Sequence, residues 1–196
     1  MQVVNERRSN ADRSQAMRDA LIVAGRLLFV EKGYAETSTP EIVAAAGVTR
    51  GALYHHFTDK AALFRAVIVS ESEHVAGEIQ RATQDCTDAG QALDTGTDAY
   101  LDAMTVTGRT RLLLIDGPAV LGREVMDIID GETSGGTIIV GLSAALGRSP
   151  DARMIVQGRL LSAAFERAAL DVSAGSDSTL YRSELKRMLA EVCGER

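Results

Sequence analysis

The chain has 196 residues, of which 45% are hydrophobic and 24% charged, with a formal net charge of −6, enough for one sizeable core or two small ones. Its most apolar stretches, residues 20–30 and 138–146, fall short of the roughly 20 apolar residues a bilayer requires, and "MQVVNERRSNADRS" lacks an apolar core and a cleavage pattern, so a cytoplasmic protein with no membrane contact is expected. Two distant cysteines, Cys86 and Cys193, supply neither a disulfide framework nor a zinc knuckle.

The acidic balance argues against a nucleic-acid partner until the chain is divided. Residues 1–65 hold nine Lys and Arg against seven Asp and Glu, whereas residues 66–196 hold twelve against twenty. Anion binding is therefore expected only in the head.

Residues 1–12 are polar and expected to be a disordered arm. From Arg13 a first helix is predicted on the spacing of Met17, Leu21, Ala24 and Leu28, ending at Gly33 in a left-handed cap. "STPEIVAAAG" gives a second, short helix, with Thr39 as its cap, Pro40 in the first position, Glu41 at the positive end and Gly47 as its stop. Thr49 caps a third through about Phe57, and Asp59 or Thr58 a fourth from Lys60 to about Ala82. Further helices are predicted over 89–107, 109–115, 118–130, 137–147, 150–172 and 177–193, parted by "TGR", "DGP", "GETSGG", "GRSP" and "SAGSDS". "TIIVG" suits a short helix or a strand. The expected fold is all-α: a compact head of short helices over 13–60 and a larger helical body over 61–196.

Two short helices joined by "AAAGVT" form a helix-turn-helix, whose second helix enters the major groove of DNA. With Arg50 at the origin, positions 54, 58, 51 and 55 fall at roughly 40°, 80°, 100° and 140° on one side of the third helix. Thr49, Ala52, Leu53 and His56 fall on the other. Leu53 is thus core, while Arg50, Gly51, Tyr54 and His55 form a polar edge that can meet bases and phosphates. Lys60 adds a positive charge at a helix N-terminus, which favours phosphate.

"STPEIVAAAGVTRGALYHHFTDKAALFRAV", together with "LLFVEKGY" before it, resembles the helix-turn-helix of the tetracycline-repressor-like (TetR) family of bacterial transcriptional regulators, over Ala16 to about Val69. The resemblance implies that Thr39 and the backbone around Pro40 anchor on phosphate. It also implies that Arg50, Gly51, Ala52, Tyr54 and His55 read the operator, that Lys60 clamps the DNA backbone and that His56 packs inward. Pro40 stands where some members can offer a side-chain contact, and Ala52 offers only a methyl group, so discrimination falls to Arg50 and His55. "LLLIDGPAVLG" looks like a pattern of one subgroup.

No metal site, cofactor or catalytic constellation is expected. The adjacent histidines diverge by about 100° on a helix and lack further ligands, no G-x-S-x-G elbow occurs, and "GETSGG" lacks a P-loop ending and reads as a flexible connection. Asp94, Asp98 and Asp102 read as a solvated face. For a small-molecule effector the candidate lining is His74, Tyr100, Met104, Leu112, Asp116, Leu121, Met126 and Phe165. His74 can equally be an ordinary histidine, and Asp116 a cap where Gly117 breaks the helix.

The last two helices carry wide apolar faces. Met154, Leu161, Phe165, Leu185, Met188 and Leu189 are the candidates for a homodimer interface, with intramolecular core as the alternative. Two heads about 34–36 Å apart would read a palindrome across one turn of DNA. The expected function is a ligand-relieved repressor rather than an enzyme. Its rivals are a helical ligand carrier or enzyme whose helix-turn-helix reads no sequence, and an architectural DNA binder, which would be strongly basic.

Overall fold

The computed structural model describes residues 10–194; most of the arm expected over 1–12 lies outside them, while residues 10–12 are already helical. The helices are α1 (Asn10–Glu36), α2 (Thr39–Ala46), α3 (Arg50–His56), α4 (Lys60–Thr83), α5 (Ala89–Met104), α6 (Arg109–Arg111), a π-helical turn (Leu112–Asp116), α7 (Gly117–Leu121), α8 (Arg123–Glu132), α9 (Ser134–Leu146), α10 (Ala152–Ser173) and α11 (Ser178–Cys193). No strand occurs among the described residues, and "TIIVG" is helical. The chain forms two compact units that divide within α4, after Val67.

The first unit is built around Leu21, Phe29, Ile42, Leu53, Leu63 and Phe64, none of which is accessible to solvent. Phe29, Tyr34 and Phe64 pack as a triangle of rings with centroids 5.0–5.8 Å apart, within the range in which edge-to-face contacts are favourable. Gly33 breaks α1 as expected but not as a left-handed cap: its φ of 81° comes with a ψ of 166°, a conformation open essentially to glycine alone. The chain turns there, and Thr37 Oγ1 donates back to the Gly33 carbonyl at 2.8 Å. Lys60 Nζ closes the corner by donating to the carbonyls of Tyr34 (2.8 Å) and Thr37 (2.9 Å) while lying 4.3 Å from the centroid of the Tyr34 ring.

The cap of α2 is Ser38, one residue before the expected Thr39. Ser38 Oγ accepts from the Glu41 amide, and the Glu41 carboxylate accepts from the Ser38 amide at 2.9 Å. Reciprocal capping satisfies two helix-end donors that a lone threonine would leave half served. Lys32, at 2.6 Å from Glu41, and the Ser38 contacts hold that carboxyl down at about 2. Thr49 caps α3 as expected, accepting from Ala52 N at 3.2 Å, and Asp59 accepts from Ala62 N at 2.7 Å in the first turn of α4.

In the second unit the core runs through Leu101, Leu112, Ile129, Leu142 and Met154, each inaccessible or nearly so. Arg109 is also buried. Its Nε donates to Glu71 at 3.1 Å, and its Nη1 to Glu78 at 3.0 Å and to the Ala103 carbonyl at 2.7 Å, so the charge is paired where an unpaired one would be costly. The helix expected to break at Gly117 instead runs on through the π-helical turn; Gly117 is helical, and the break comes at Gly122, with φ 84° and ψ 157°. Asp116 makes no capping bond and lies 3.2 Å from Arg111 as an ion pair.

Because Lys60 satisfies two carbonyls at the Gly33 corner, Lys60→Met is expected to lower the unfolding free energy by about 1.5–3 kcal/mol, the usual loss for hydrogen bonds to a charged group. Denaturant titration of the two proteins measures it.

Candidate functional site

The turn between α2 and α3 brings three of the expected DNA contacts together. Thr39 opens α2 and Arg50 opens α3, and hydrogen bonding to Arg50, then to Thr39, pulls the Tyr54 hydroxyl below its ordinary phenol value. The Arg50 guanidinium also lies 5.5 Å from the centroid of the Tyr54 ring, within cation–π range. Tyr54 is 45% exposed, and Pro40, Thr49, Arg50, Gly51 and His55 are exposed beside it. Ala52 is half-buried. The opposite side of α3 is closed, with Leu53 inaccessible.

Gly51 has no structural reason to lack a side chain. A Cβ there would meet only Thr49 Oγ1, at 3.8 Å, an ordinary contact. A bare backbone on an exposed helix costs up to about 1 kcal/mol relative to alanine, so the vacancy suits the close approach of another molecule. Lys60 is not part of this edge, since its ammonium is bound into the Gly33 corner.

The two histidines start out on different sides of α3, yet their rings meet edge to face with centroids 5.1 Å apart. His56 turns inward, and its Nε2 is buried without a hydrogen-bond partner among the described residues. Burial, then the neighbouring His55 and Arg18, lowers its pKa. The ring is thus held as the neutral base within the packing of α3.

The second unit contains a cavity of about 610 Å³, a size that suits a drug-sized ligand. Of the expected lining only Tyr100 and Phe165 face it, their rings edge to face at 5.3 Å. Met126 lines a small adjoining recess with Tyr100, and Met104 a separate groove near Ile115. Leu112 is core, His74 is exposed beside Glu71, and Asp116 and Leu121 lie on none of the cavity's walls. The walls are supplied instead by Ile79, Leu93, Gly96, Ile138 and Ile139, among others.

"GETSGG" is a built corner of that cavity rather than a flexible connection. Asp130 accepts from Ser134 Oγ (3.1 Å), from the Gly135 amide (3.0 Å) and from Ser162 Oγ (2.7 Å), tying the end of α8 to the start of α9 and to α10. A Cβ at Gly135 would stand 2.1 Å from Asp130 Oδ2, so only glycine lets the amide reach the carboxylate. Glycine pairs read as looseness in the sequence; the acid four residues before Ser134 was the available signal for a closed turn.

Comparison with known proteins now adds to the geometry. The profile described as "Bacterial regulatory proteins, tetR family" matches residues 21–67, and that described as "Tetracyclin repressor-like, C-terminal domain" matches residues 90–194, more than half of the chain. The chain belongs to the TetR family. It is similar to the HTH-type transcriptional activator FasR of Mycolicibacterium smegmatis, 31% identical over 49% of this chain and 44% of that one, and to the HTH-type transcriptional repressor BepR of Brucella suis, 40% identical over 32% and 29%. These matches span less than half the length of either relative. A crystal structure of a TetR-family transcriptional regulator from Pectobacterium atrosepticum superimposes with a TM-score of 0.67 at 26% identity, covering 94% of this chain and 95% of that one.

Of the residues expected at a homodimer interface, most face inward in this unit. Met154, Leu161, Phe165, Leu185 and Leu189 are buried in the unit's own core, at 5% exposure or less, and Met188 is half-buried. The other side of α10 carries Val156 (56% exposed), Leu160 (68%) and, one turn on, the exposed Ala163, an apolar stripe at i, i+4 and i+7. Both faces of α10 are apolar, so periodicity alone does not tell which faces inward. No helix among the described residues is long and apolar enough to cross a membrane.

Two outcomes follow from α3. Gly51→Ala is expected to raise the unfolding free energy by about 0.5–1 kcal/mol while weakening binding to the chain's cognate DNA, which parallel melting and fluorescence-anisotropy titrations would register as opposite signs. Since the folded-state pKa of His56 lies below its unfolded value, its contribution is full above about pH 6.5 and is lost as pH falls towards the folded pKa. Stability should therefore drop as pH falls below about 6.5, and His56→Gln should flatten that drop.

Proposed function

We propose that this TetR-family chain binds a palindromic DNA operator as a homodimer through α3, represses transcription there, and is released by a small-molecule effector held in the cavity of the second unit. The observation that carries the reading is the edge formed by Arg50, Gly51, Tyr54 and His55, polar, aromatic and exposed on a capped helix whose Leu53 side is inaccessible, with the half-buried Thr39 of α2 beside it. Arg50 supplies the fork that reads a guanine edge, Thr39 and Tyr54 supply hydroxyls for phosphate, and Gly51 lets the backbone come close. Lys60 acts here by fixing the corner that leads into α2.

Dimerisation rests on the stripe of Val156, Leu160 and Ala163, and on the weakness of a single head with so few base-reading side chains. Repression needs only occupancy of the operator, and BepR is named a repressor. α4 is one continuous helix from Lys60 to Thr83, and Ile79, Gln80 and Thr83 line the cavity. Any effector that weakens DNA binding is weakened by DNA in the same ratio.

The test is a titration of DNA from upstream of the gene against random duplex at several salt concentrations. Specific DNA is expected to win. Arg50→Ala should weaken specific binding by about 1–3 kcal/mol and relax preference at one operator position, while random duplex changes less. Equal binding of both duplexes by the unaltered protein would sink the reading, and a reporter placed behind the same DNA separates repression from activation.

A further inference from the structure

The cavity of the second unit is apolar along its length and acidic at one end. Ile79, Leu93, Ile138, Ile139 and Phe165 form the apolar walls, and no Lys, Arg or His among the described residues lines it. At the acidic end Asp130 and Tyr100 face both this cavity and the small recess beside it, where Glu166 joins them. The Asp130 carboxylate is already served by Ser134, Gly135 and Ser162. Neither of the other two groups is so served.

Tyr100 packs edge to face on Phe165, and burial, Asp130 and Glu166 all push its phenol up, so the hydroxyl stays protonated with two carboxylates near it. No described residue hydrogen-bonds it. Glu166 is likewise pushed up, first by burial and then by Asp130, with Asp127 adding to the effect and Arg123 opposing it. Among the described residues Arg123 is the one cation of the recess, and it serves it poorly: it lies 3.4 Å from Asp127 and 3.9 Å from Glu166 with 68% of its side chain exposed. This end of the cavity therefore has an excess of negative charge, an unused hydroxyl and two aromatic rings, all of which favour a cation.

We infer that the cavity selects an apolar molecule bearing an ammonium or comparable cationic head, seated with the head between Tyr100, Glu166 and Asp130 and the tail along Leu93, Ile138 and Ile139, and that it rejects carboxylates of the same length. The inference rests on the cavity being the effector site proposed above. A carboxylate head would have to sit beside two carboxyl groups with no buried cation to meet it, whereas an ammonium adds to the long, largely exposed ion pair that Arg123 gives Glu166.

The test uses the full chain and three probes of equal tail, n-octylammonium, n-octanol and octanoate, by calorimetric titration and thermal shift. The ammonium is expected to bind at least about tenfold more tightly than octanol, with octanoate weakest. Glu166→Gln should bring the ammonium and the alcohol within about threefold of each other while leaving the alcohol bound. Tyr100→Phe removes a hydroxyl with no partner in the protein, so its melting temperature should hold or rise while ammonium affinity falls. Octanoate binding as well as the ammonium, an unchanged preference in Glu166→Gln, or no binding of any probe would each overturn the inference. Adding the probes to the DNA complex separates the two proposals: ammonium selectivity without release of DNA leaves this inference standing and removes the effector role, whereas release by octanoate alone does the reverse.

Discussion

A helix of seven residues cannot hold itself together in water, where isolated helices shorter than about 12–15 residues are marginal. The surface offered by α3 therefore exists only because the rest of the first unit holds it. Thr49 caps one end, Leu53 is driven into the core between α1 and α2, and Phe57 closes the other end. The position of α2 depends in turn on the Gly33 corner, where Lys60 reaches back from the helix that follows α3 to bind carbonyls of the segment that precedes α2. The chain is thereby tied on both sides of the helix-turn-helix by one ammonium group. An edge so supported can leave Arg50, Tyr54 and His55 unpacked and still present them in a fixed arrangement.

The second unit uses the opposite device. One end of its cavity is fixed by Asp130, a carboxylate that accepts from Ser134, Gly135 and Ser162. Polar groups fixed in this way act as wall rather than as solvent-seeking side chains. Tyr100 and Glu166 lie nearby without comparable hydrogen-bond partners, so a fixed carboxylate and two unserved groups share one end of the cavity and its recess.

Much of the head was legible in the sequence because its signals are local: Thr49 before a short apolar pattern, Gly47 after one, and a polar edge on a helical wheel. The cap fell one residue earlier than expected, at Ser38, because Glu41 three residues later completes a reciprocal cap with it. The body was less legible for a physical reason. A helical wheel carries phase faithfully only while the turn stays at 3.6 residues, and the π-helical turn at Leu112–Asp116 shifts that phase for the residues that follow it. α10 raised a different difficulty, since Met154, Leu161 and Phe165 on one side and Val156, Leu160 and Ala163 on the other are equally apolar. The lining of the cavity depended on contacts between residues far apart in the chain, such as Asp130 with Ser162, which no local pattern encodes.

The exposed stripe of α10 has a consequence for symmetry. A two-fold contact sets a surface against itself, so every charge near the axis faces its own sign. Arg159 and Arg167 flank Val156, Leu160 and Ala163, and bare arginines there would repel their copies. Each is instead neutralised within its own chain, Arg159 by Asp127 at 3.5 Å and Arg167 by Asp171 at 2.9 Å. At these two positions the positive charge is thus offset within the chain, which lowers the repulsion a two-fold contact along the stripe would meet.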